Sequence, residues 1–428
     1  MTAGSKWSVA KLGPLCSKIG SGMTPRGGES VYTGDGVALI RSQNVYNAEF
    51  AMDGLAHITD EQAEKMNGVE VLKGDVLLNI TGDSVARSCT MPDSVLPARV
   101  NQHVSIIRPD NQALDARFLM YYLISPYMQA YLLSLAGSGG TRKALTKSMI
   151  EEFIIPLPMI DEQKRIADII SAYDDLIESN RRRIGLLEQA ACLLYREWFV
   201  HLRFPGHEHV KITDGVPEGW ESKGFANVLG NHIGGGWGQE DPLGSETTPA
   251  YVIRGTDIES VISGNFEDIG LRYHKDSALQ SRLLKTGDII FEVSGGSATQ
   301  LIGRSLLISK KMIDVYDGSV ICASFCKRLT PLSSSLSPYL YYHIKHIREN
   351  GELNTYIKQS ASALQNFNFA AFLEHYFVRI PNRLLLGQFA EQVSLFESQK
   401  FTLAIQTYNL KRARDLLLPR LMNGEIAV

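Results

Sequence analysis

Cysteine is scarce in the 428-residue sequence. There are five, Cys16, Cys89, Cys192, Cys322 and Cys326, with no Cys-x-x-Cys pair among them. That excludes a disulfide-stapled or zinc-ribbon design and points to reduced thiols in a cytoplasmic protein. No apolar run approaches the ~20 residues that span a bilayer, and the opening MTAGSKWSVAKLG is not a signal peptide. There is no Pro-Pro dipeptide, and with it goes the Asn/Asp-Pro-Pro-aromatic loop that holds a flipped base for amino methylation. No GxxxxGK[ST] loop is present to cradle phosphates, which excludes a nucleotide-driven motor. Positive charge is not in excess: 43 Lys and Arg stand against 46 Asp and Glu, for a net charge of −3 and a pI near 6.4. A stand-alone nucleic-acid binder is usually basic, so any DNA contact must be local or shared with a partner.

What is present describes a globular chain, 44% hydrophobic and 21% charged, and too long for one core. Several local patterns carry no chemistry. Gly234 to Gly238 is glycine-rich without dinucleotide spacing and reads as a turn. His207 and His209 lie in, and His201 just before, a Pro/Gly-rich segment, FPGHEHVKITDGVPEGW, that reads as a solvated linker. Cys322 and Cys326 read as core thiols. No metal site is expected.

The longest ordered signal is DEQKRIADIISAYDDLIESNRRRIGLLEQAACLLYREWF, residues 161–199. Asp161 is a plausible N-cap after Pro156 and Pro158. Ile166, Ile170, Tyr173, Ile177, Ile184, Leu187, Leu194 and Trp198 recur in steps of three and four, with Asn180 and Ala191 filling the seam. Arg181, Arg182, Arg183, Glu178 and Glu188 occupy the other faces. A helix of this length is a rod of roughly 58 Å with a narrow apolar stripe, and it needs a partner helix. A buried Asn at a seam position usually sets register.

The chain repeats itself. Trp7 recurs as Trp220, Ile40-Arg41 as Ile253-Arg254, and Gly74-Asp75 as Gly287-Asp288, all at an offset of 213. Tyr121-Tyr122 recurs as Tyr341-Tyr342 and Ile155-Pro156 as Ile380-Pro381. Ile166-Ala167, Ile170 and Tyr173 recur as Phe389-Ala390, Val393 and Phe396, at an offset of 223. This is an internal duplication. It gives four parts: a first domain at 1–158, a central helix at 159–203, a second domain at 204–382 and a C-terminal helix at 383–428. The domains are strand-rich, with runs such as VALI, DVLLNI and HVSII, and one helical stretch from Ala116 to Leu135. The second helix carries Phe389, Val393, Phe396, Leu403, Leu410 and Leu417 on its seam. Lys400, Thr407 and Arg414 fall where apolar residues belong, and the long basic chains are expected to snorkel outward.

Taken with this doubling, three further patterns carry a resemblance. They are the P-L-P-x-x-x-E-Q run at Pro156, Pro158, Glu162 and Gln163, the LLYREWF that ends the first rod, and the closing LLLPRLMNGEI. The Lys73-Gly74-Asp75 turn, with Lys285-Thr286-Gly287-Asp288 one residue longer, adds to them. Together they resemble the DNA-specificity subunit of type I restriction–modification systems, over nearly the whole chain. The resemblance implies an α+β protein. Two similar mixed α/β target-recognition domains, each reading half of a bipartite asymmetric DNA site, are joined by two long antiparallel coiled-coil helices. It further implies a non-catalytic chain that docks two methyltransferase subunits, with restriction (helicase-nuclease) subunits able to join. S-adenosylmethionine would belong to the methyltransferase, and this chain would bind no cofactor. The second helix opens with PNRLLLGQF and lacks the acidic cap of the first, so the two docking sites need not be equivalent.

Arg pairs bidentately with guanine and Gln or Asn with adenine, so polar residues on loops between strands are the candidates for direct readout. In the first domain these are Thr24, Arg26, Arg41, Gln43, Asn44, Arg87, Thr141, Arg142 and Lys143. In the second they are Trp237, Gln239, Arg254, Thr256, Arg304, Lys358 and Gln359. Arg41 and Arg254 occupy matched positions, which suggests a shared structural role, because specificity residues should differ between halves. The acidic pI leaves one alternative open, a two-module adaptor that binds protein or glycan on a coiled-coil spacer. The pseudo-two-fold also predicts that residues 1–203 pair with a second copy of themselves through the more regular rod.

Overall fold

A computed structural model of the chain describes residues 7–137, 143–295, 301–359 and 364–428. It divides into two compact units, residues 1–175 with 411–428, and residues 176–410, and each is described by itself. Both long helices form. The central one runs Ile160–Tyr195 and ends in a wider π turn, Arg196–Val200, and the C-terminal one runs Arg383–Met422. Asp161 lies one residue inside the first turn and does not cap it. The anchor there is the fully buried Gln163, a residue whose role the sequence did not disclose. Its amide donates to the Pro158 carbonyl at 2.9 Å and the Ala113 carbonyl at 3.1 Å, and its oxygen accepts from the Asp115 amide at 2.9 Å.

The heptad seam is the buried face. In the first unit Ile166, Ala167 and Ile170 share a core with Leu418, Leu421 and Met422 from the end of the C-terminal helix. In the second, Ile184 clusters with Phe401, Leu403 and Ala404, whereas Ala191, Tyr195 and Phe199 cluster with Phe389 and Val393 from its beginning. Rising numbers on one helix meet falling numbers on the other, so the pairing is antiparallel. Ile177 and Asn180 are buried; Tyr173, Leu187, Leu194, Phe396, Leu410 and Leu417 are half-buried.

Lys400 corrects the expectation of outward snorkelling. It is 4% exposed and bonds Glu188 of the central helix and Glu397 at 2.8 Å. Lys345 also reaches Glu188, and the Tyr342 hydroxyl donates to Glu397. Four charges compensate one another, which is what burial of a charge requires. Burial works against the charge of Glu188, yet Lys400 and Lys345 hold its carboxyl below the ordinary carboxylate value. Arg414 is likewise half-buried and bonds Asp174 at 2.6 Å.

The duplication is explicit in the strand pairings. In the first unit Ser8–Lys11 pairs antiparallel with Ile154–Leu157, the strand that leads into the central helix. In the second, Glu221–Gly224 pairs with Phe377–Ile380 ahead of the C-terminal helix. One sheet of the first unit runs Cys16–Ser21, Val104–Pro109, Val76–Asn79, Ser88–Thr90, and its counterpart runs Leu229–Gly234, Cys326–Pro331, Ile289–Glu292, Ser305–Leu307. Beside each lies a smaller sheet with one parallel contact, Ala98–Val100 on Val37–Ile40 and Ser319–Cys322 on Thr248–Ile253.

Matched sequence pairs have matched jobs. Gly74 and Gly287 take left-handed φ values of 83° and 90°, which a side chain resists. The next residue turns a buried carboxylate back to cap the turn: Asp75 accepts from the Leu72 amide at 2.7 Å and Asp288 from the Lys285 amide at 2.8 Å. Asp75 then holds Arg108 at 2.7 Å, and Asp288 holds Thr330 at 2.6 Å. Two other expectations change. The helical stretch from Ala116 breaks at Ser125 into Ala116–Ile124 and Pro126–Gly137, because Pro126 cannot continue a helix but can open one. The segment read as a linker is partly folded: Phe204 and Trp220 are buried with ring centroids 5.7 Å apart, around a hairpin of Ile212–Thr213 and Val216–Pro217. Cys322 and Cys326 are buried free thiols, with burial raising the Cys322 pKa to about 12. Among the described residues no helix is long and apolar enough to cross a membrane.

Candidate nucleic-acid interface

Each unit gathers polar loops at the same end of its four-stranded sheet. In the first, Ser21 pairs with Ser105, Val104 with Asn79, and Leu78 with Ser88, so the chain leaves or enters all four strands at one edge. The segment after Ser21 is held close: the Gly22 amide donates to Val104 and the Met23 amide to Val100, both at 3.1 Å. A Cβ on Gly22 would stand 1.9 Å from the Val100 carbonyl oxygen, so only glycine fits. Thr24 and Arg26 follow at the rim, half-buried and exposed respectively. The Gly82 amide donates to the Lys143 carbonyl at 3.2 Å, which brings exposed Lys143 to the same edge. Arg87 lies over the Tyr46 ring at 4.6 Å. Thr141 and Arg142 fall outside the described residues.

Two neighbours escaped the sequence reading. Gln102 is exposed between the same strands, and His103 bonds the Thr81 hydroxyl at 2.7 Å. The signal available was position alone: Gln102 directly precedes, and His103 opens, the strand-like run HVSII already identified.

The second unit repeats the arrangement. Gly234 pairs with Lys327, Glu292 with Cys326, and Phe291 with Ser305. Gly235 takes the place of Gly22, its Cβ position 2.1 Å from the Cys322 carbonyl oxygen; the glycine run supplies this close approach, with Gly234 ending a strand and residues 235–238 running as irregular chain in place of the expected turn. Trp237 follows, 43% exposed, with the Arg272 guanidinium 4.6 Å from its ring centre. Arg272 is also held by Glu240 at 2.7 Å. His274 is buried beside Gly236 and Gly238, and burial lowers its pKa. Gln239 is exposed, and its backbone bridges to Tyr273. Phe325, one residue before its strand as His103 is, stands 61% exposed. Lys358 is exposed in the strand Ile357–Gln359, where Gln359 also lies.

Four candidates point elsewhere. Asn44 is fully buried, accepting from the Arg41 amide at 3.0 Å and donating to the Ala51 carbonyl at 3.0 Å. Arg41 is half-buried over Tyr32 and donates to the Gly54 carbonyl at 2.7 Å. Arg254 repeats that turn: its amide donates to Asp257 at 2.8 Å and its guanidinium bonds the same carboxylate at 2.7 Å. The matched arginines thus open matched capped turns, as their positions suggested. Arg304 is 6% exposed and forms a two-point ion pair with buried Glu292, at 2.6 and 2.9 Å. Gln43 and Thr256 remain exposed on these turns. Among the described residues no group of His, Cys, Asp and Glu is placed to hold a metal ion.

Comparison with known proteins agrees with this geometry. Residues 4–189 match the family described as the type I restriction modification DNA specificity domain. The MjaIX specificity subunit of Methanocaldococcus jannaschii is 26% identical over 99% of this chain and 94% of its own length. The HindI specificity subunit of Haemophilus influenzae is 22% identical, over 91% of this chain and 94% of its own. In fold the chain is similar to the type I restriction–modification S subunit from M. genitalium, with a TM-score of 0.58 at 14% identity, covering 99% of this chain and 97% of that one. Residues 4–189 thus match the type I restriction modification DNA specificity domain, and the chain over nearly its whole length is similar to type I specificity subunits.

Proposed function

We propose that this chain is the non-catalytic sequence reader of a type I restriction–modification complex, each domain reading one half of a bipartite asymmetric DNA site. The observation that carries the reading is the doubled sheet edge. Two domains with matching four-stranded sheets present loops that differ in residue type: Thr24, Arg26, Arg87 and Lys143 on one, Trp237 and Gln239 on the other. A shared scaffold with divergent polar loops is what two half-sites of different sequence require. The paired helices dock two methyltransferase subunits, with S-adenosylmethionine held by those subunits, and restriction subunits join that core. The complex works on chromosomal and incoming DNA in the cytoplasm. Similarity to specificity subunits along nearly the whole chain favours this over a protein- or glycan-binding adaptor.

Co-expression with the methyltransferase subunit and mapping of methylated adenines in genomic DNA, with and without this gene, tests the proposal. A new asymmetric bipartite mark that depends on the gene is expected; no gene-dependent mark would refute it. A domain-level result should follow. Trp237→Ala alters or weakens the mark in one half-site only, leaving the other half-site unchanged, and single-base preference in the map reads it out. With a net charge of −3, the chain alone should bind DNA at least about 100-fold more weakly than the methyltransferase complex at physiological salt, since phosphate neutralisation supplies much of the affinity. Fluorescence anisotropy on one duplex, with and without the partner, measures the ratio.

A further inference from the structure

The two helices are copies, yet they are not interchangeable. Ile166 corresponds to Phe389, Ile170 to Val393, Ile177 to Lys400 and Ala191 to Arg414, each 223 residues on. The same seam positions are buried or half-buried in both helices, so the copies share one packing face. What differs is where the charges sit. The C-terminal helix carries cations on its seam at Lys400 and Arg414, and the central helix answers with carboxylates at Glu188 and Asp174. In these pairs the Lys400 and Glu188 side chains are 5% and 17% exposed, and those of Arg414 and Asp174 are 23% and 19% exposed. The Tyr121 hydroxyl also donates to Asp174, at 2.6 Å.

We propose that Asp174 and Glu188 select the chain's own C-terminal helix as partner for the central helix and reject a second central helix. If a copy of the central helix stood in place of the C-terminal one, antiparallel and in the same register, the residue facing Asp174 would be Ala191 and the residue facing Glu188 would be Ile177. Asp174 would lose Arg414 and Glu188 would lose Lys400, each meeting an alkyl group instead, and two-fold symmetry would do this twice over. A buried carboxylate that loses its countercharge opposes the pairing, so self-pairing of the N-terminal half is weaker than pairing with the C-terminal helix. Charge on one copy and countercharge on the other is a device by which duplicated helices keep to an intramolecular pairing. The inference rests on the helix packing and is independent of DNA recognition.

The test uses two full-length chains with different tags. One carries Asp174→Arg, which sets two arginines face to face; the other carries Arg414→Asp, which sets two aspartates face to face. Co-expressed, they can exchange helices, so that each mismatched position meets its opposite charge in the other chain. Tandem affinity purification should recover a one-to-one dimer of the two variants at least tenfold above the yield from two differently tagged wild-type chains. It should do so equally above two differently tagged Asp174→Arg chains. The chain with both substitutions, Asp174→Arg and Arg414→Asp, should return to a monomer by light scattering. Single variants that remain monomeric with an unchanged Tm would overturn the proposal, as would variants that fail to co-purify while the doubly substituted chain is soluble. If no combination yields soluble protein, the doubly substituted chain included, the charges do not act by selecting a partner and the proposal is equally overturned.

Discussion

An Ile184→Asp chain should lose about 3–5 kcal/mol of stability, enough to abolish assembly. Ile184 is 4% exposed and sits in one buried cluster with Phe401, Leu403 and Ala404. Aspartate there would be a desolvated charge without a cation. Lys400 is already held by Glu188 and Glu397, and Glu188 stands one helical turn from the new carboxylate on the same helix. The alkyl contacts of isoleucine are lost in addition. Because the damage falls on the seam and not on the loops, methylation should be lost at every site together, with no change of sequence preference. A thermal melt and a genomic methylation map check both halves of the expectation. A chain that assembled normally and marked a different sequence would remove this helix from the scaffold.

The second large effect concerns Arg304. Residue type and position between strands suggested a base contact, but its guanidinium is bound to Glu292, itself 1% exposed. Arg304→Ala should therefore cost about 3–5 kcal/mol, most of it from leaving the Glu292 carboxylate buried and unpaired. Replacing both residues by methionine should cost far less, since a buried pair exchanged for apolar groups of similar volume is often nearly neutral. The double variant should keep both stability and the methylation pattern. If it instead kept its Tm and relaxed the pattern at one base, Arg304 would be a readout residue after all. The matched position in the first half makes the contrast useful. Arg87 lies over Tyr46, and Asn79 stands where the second half has Glu292, so only one of two equivalent arginines is drawn into the core.

The two long helices, their seam and the duplication are legible in the residues alone, because each is written in spacing. A heptad stripe is visible without coordinates, and a repeat at a constant offset needs only the chain itself. Asp75 and Asp288 could be matched before their common role as turn caps was known. The fate of individual polar side chains was not legible there and depends on packing between segments. Lys400 looked free to reach water until Glu188 of the central helix was found beside it. Arg304 looked like a loop residue until Glu292 of the adjoining strand closed on it. Gln163 was one polar residue in a helix start until the carbonyls of Pro158 and Ala113 and the Asp115 amide surrounded it. Periodicity tells which face of an element is buried, since burial of apolar area follows a regular pattern along one segment. Whether a charged group on that face is buried or solvated depends on one countercharge brought by another segment, and that pairing is set by three-dimensional packing alone.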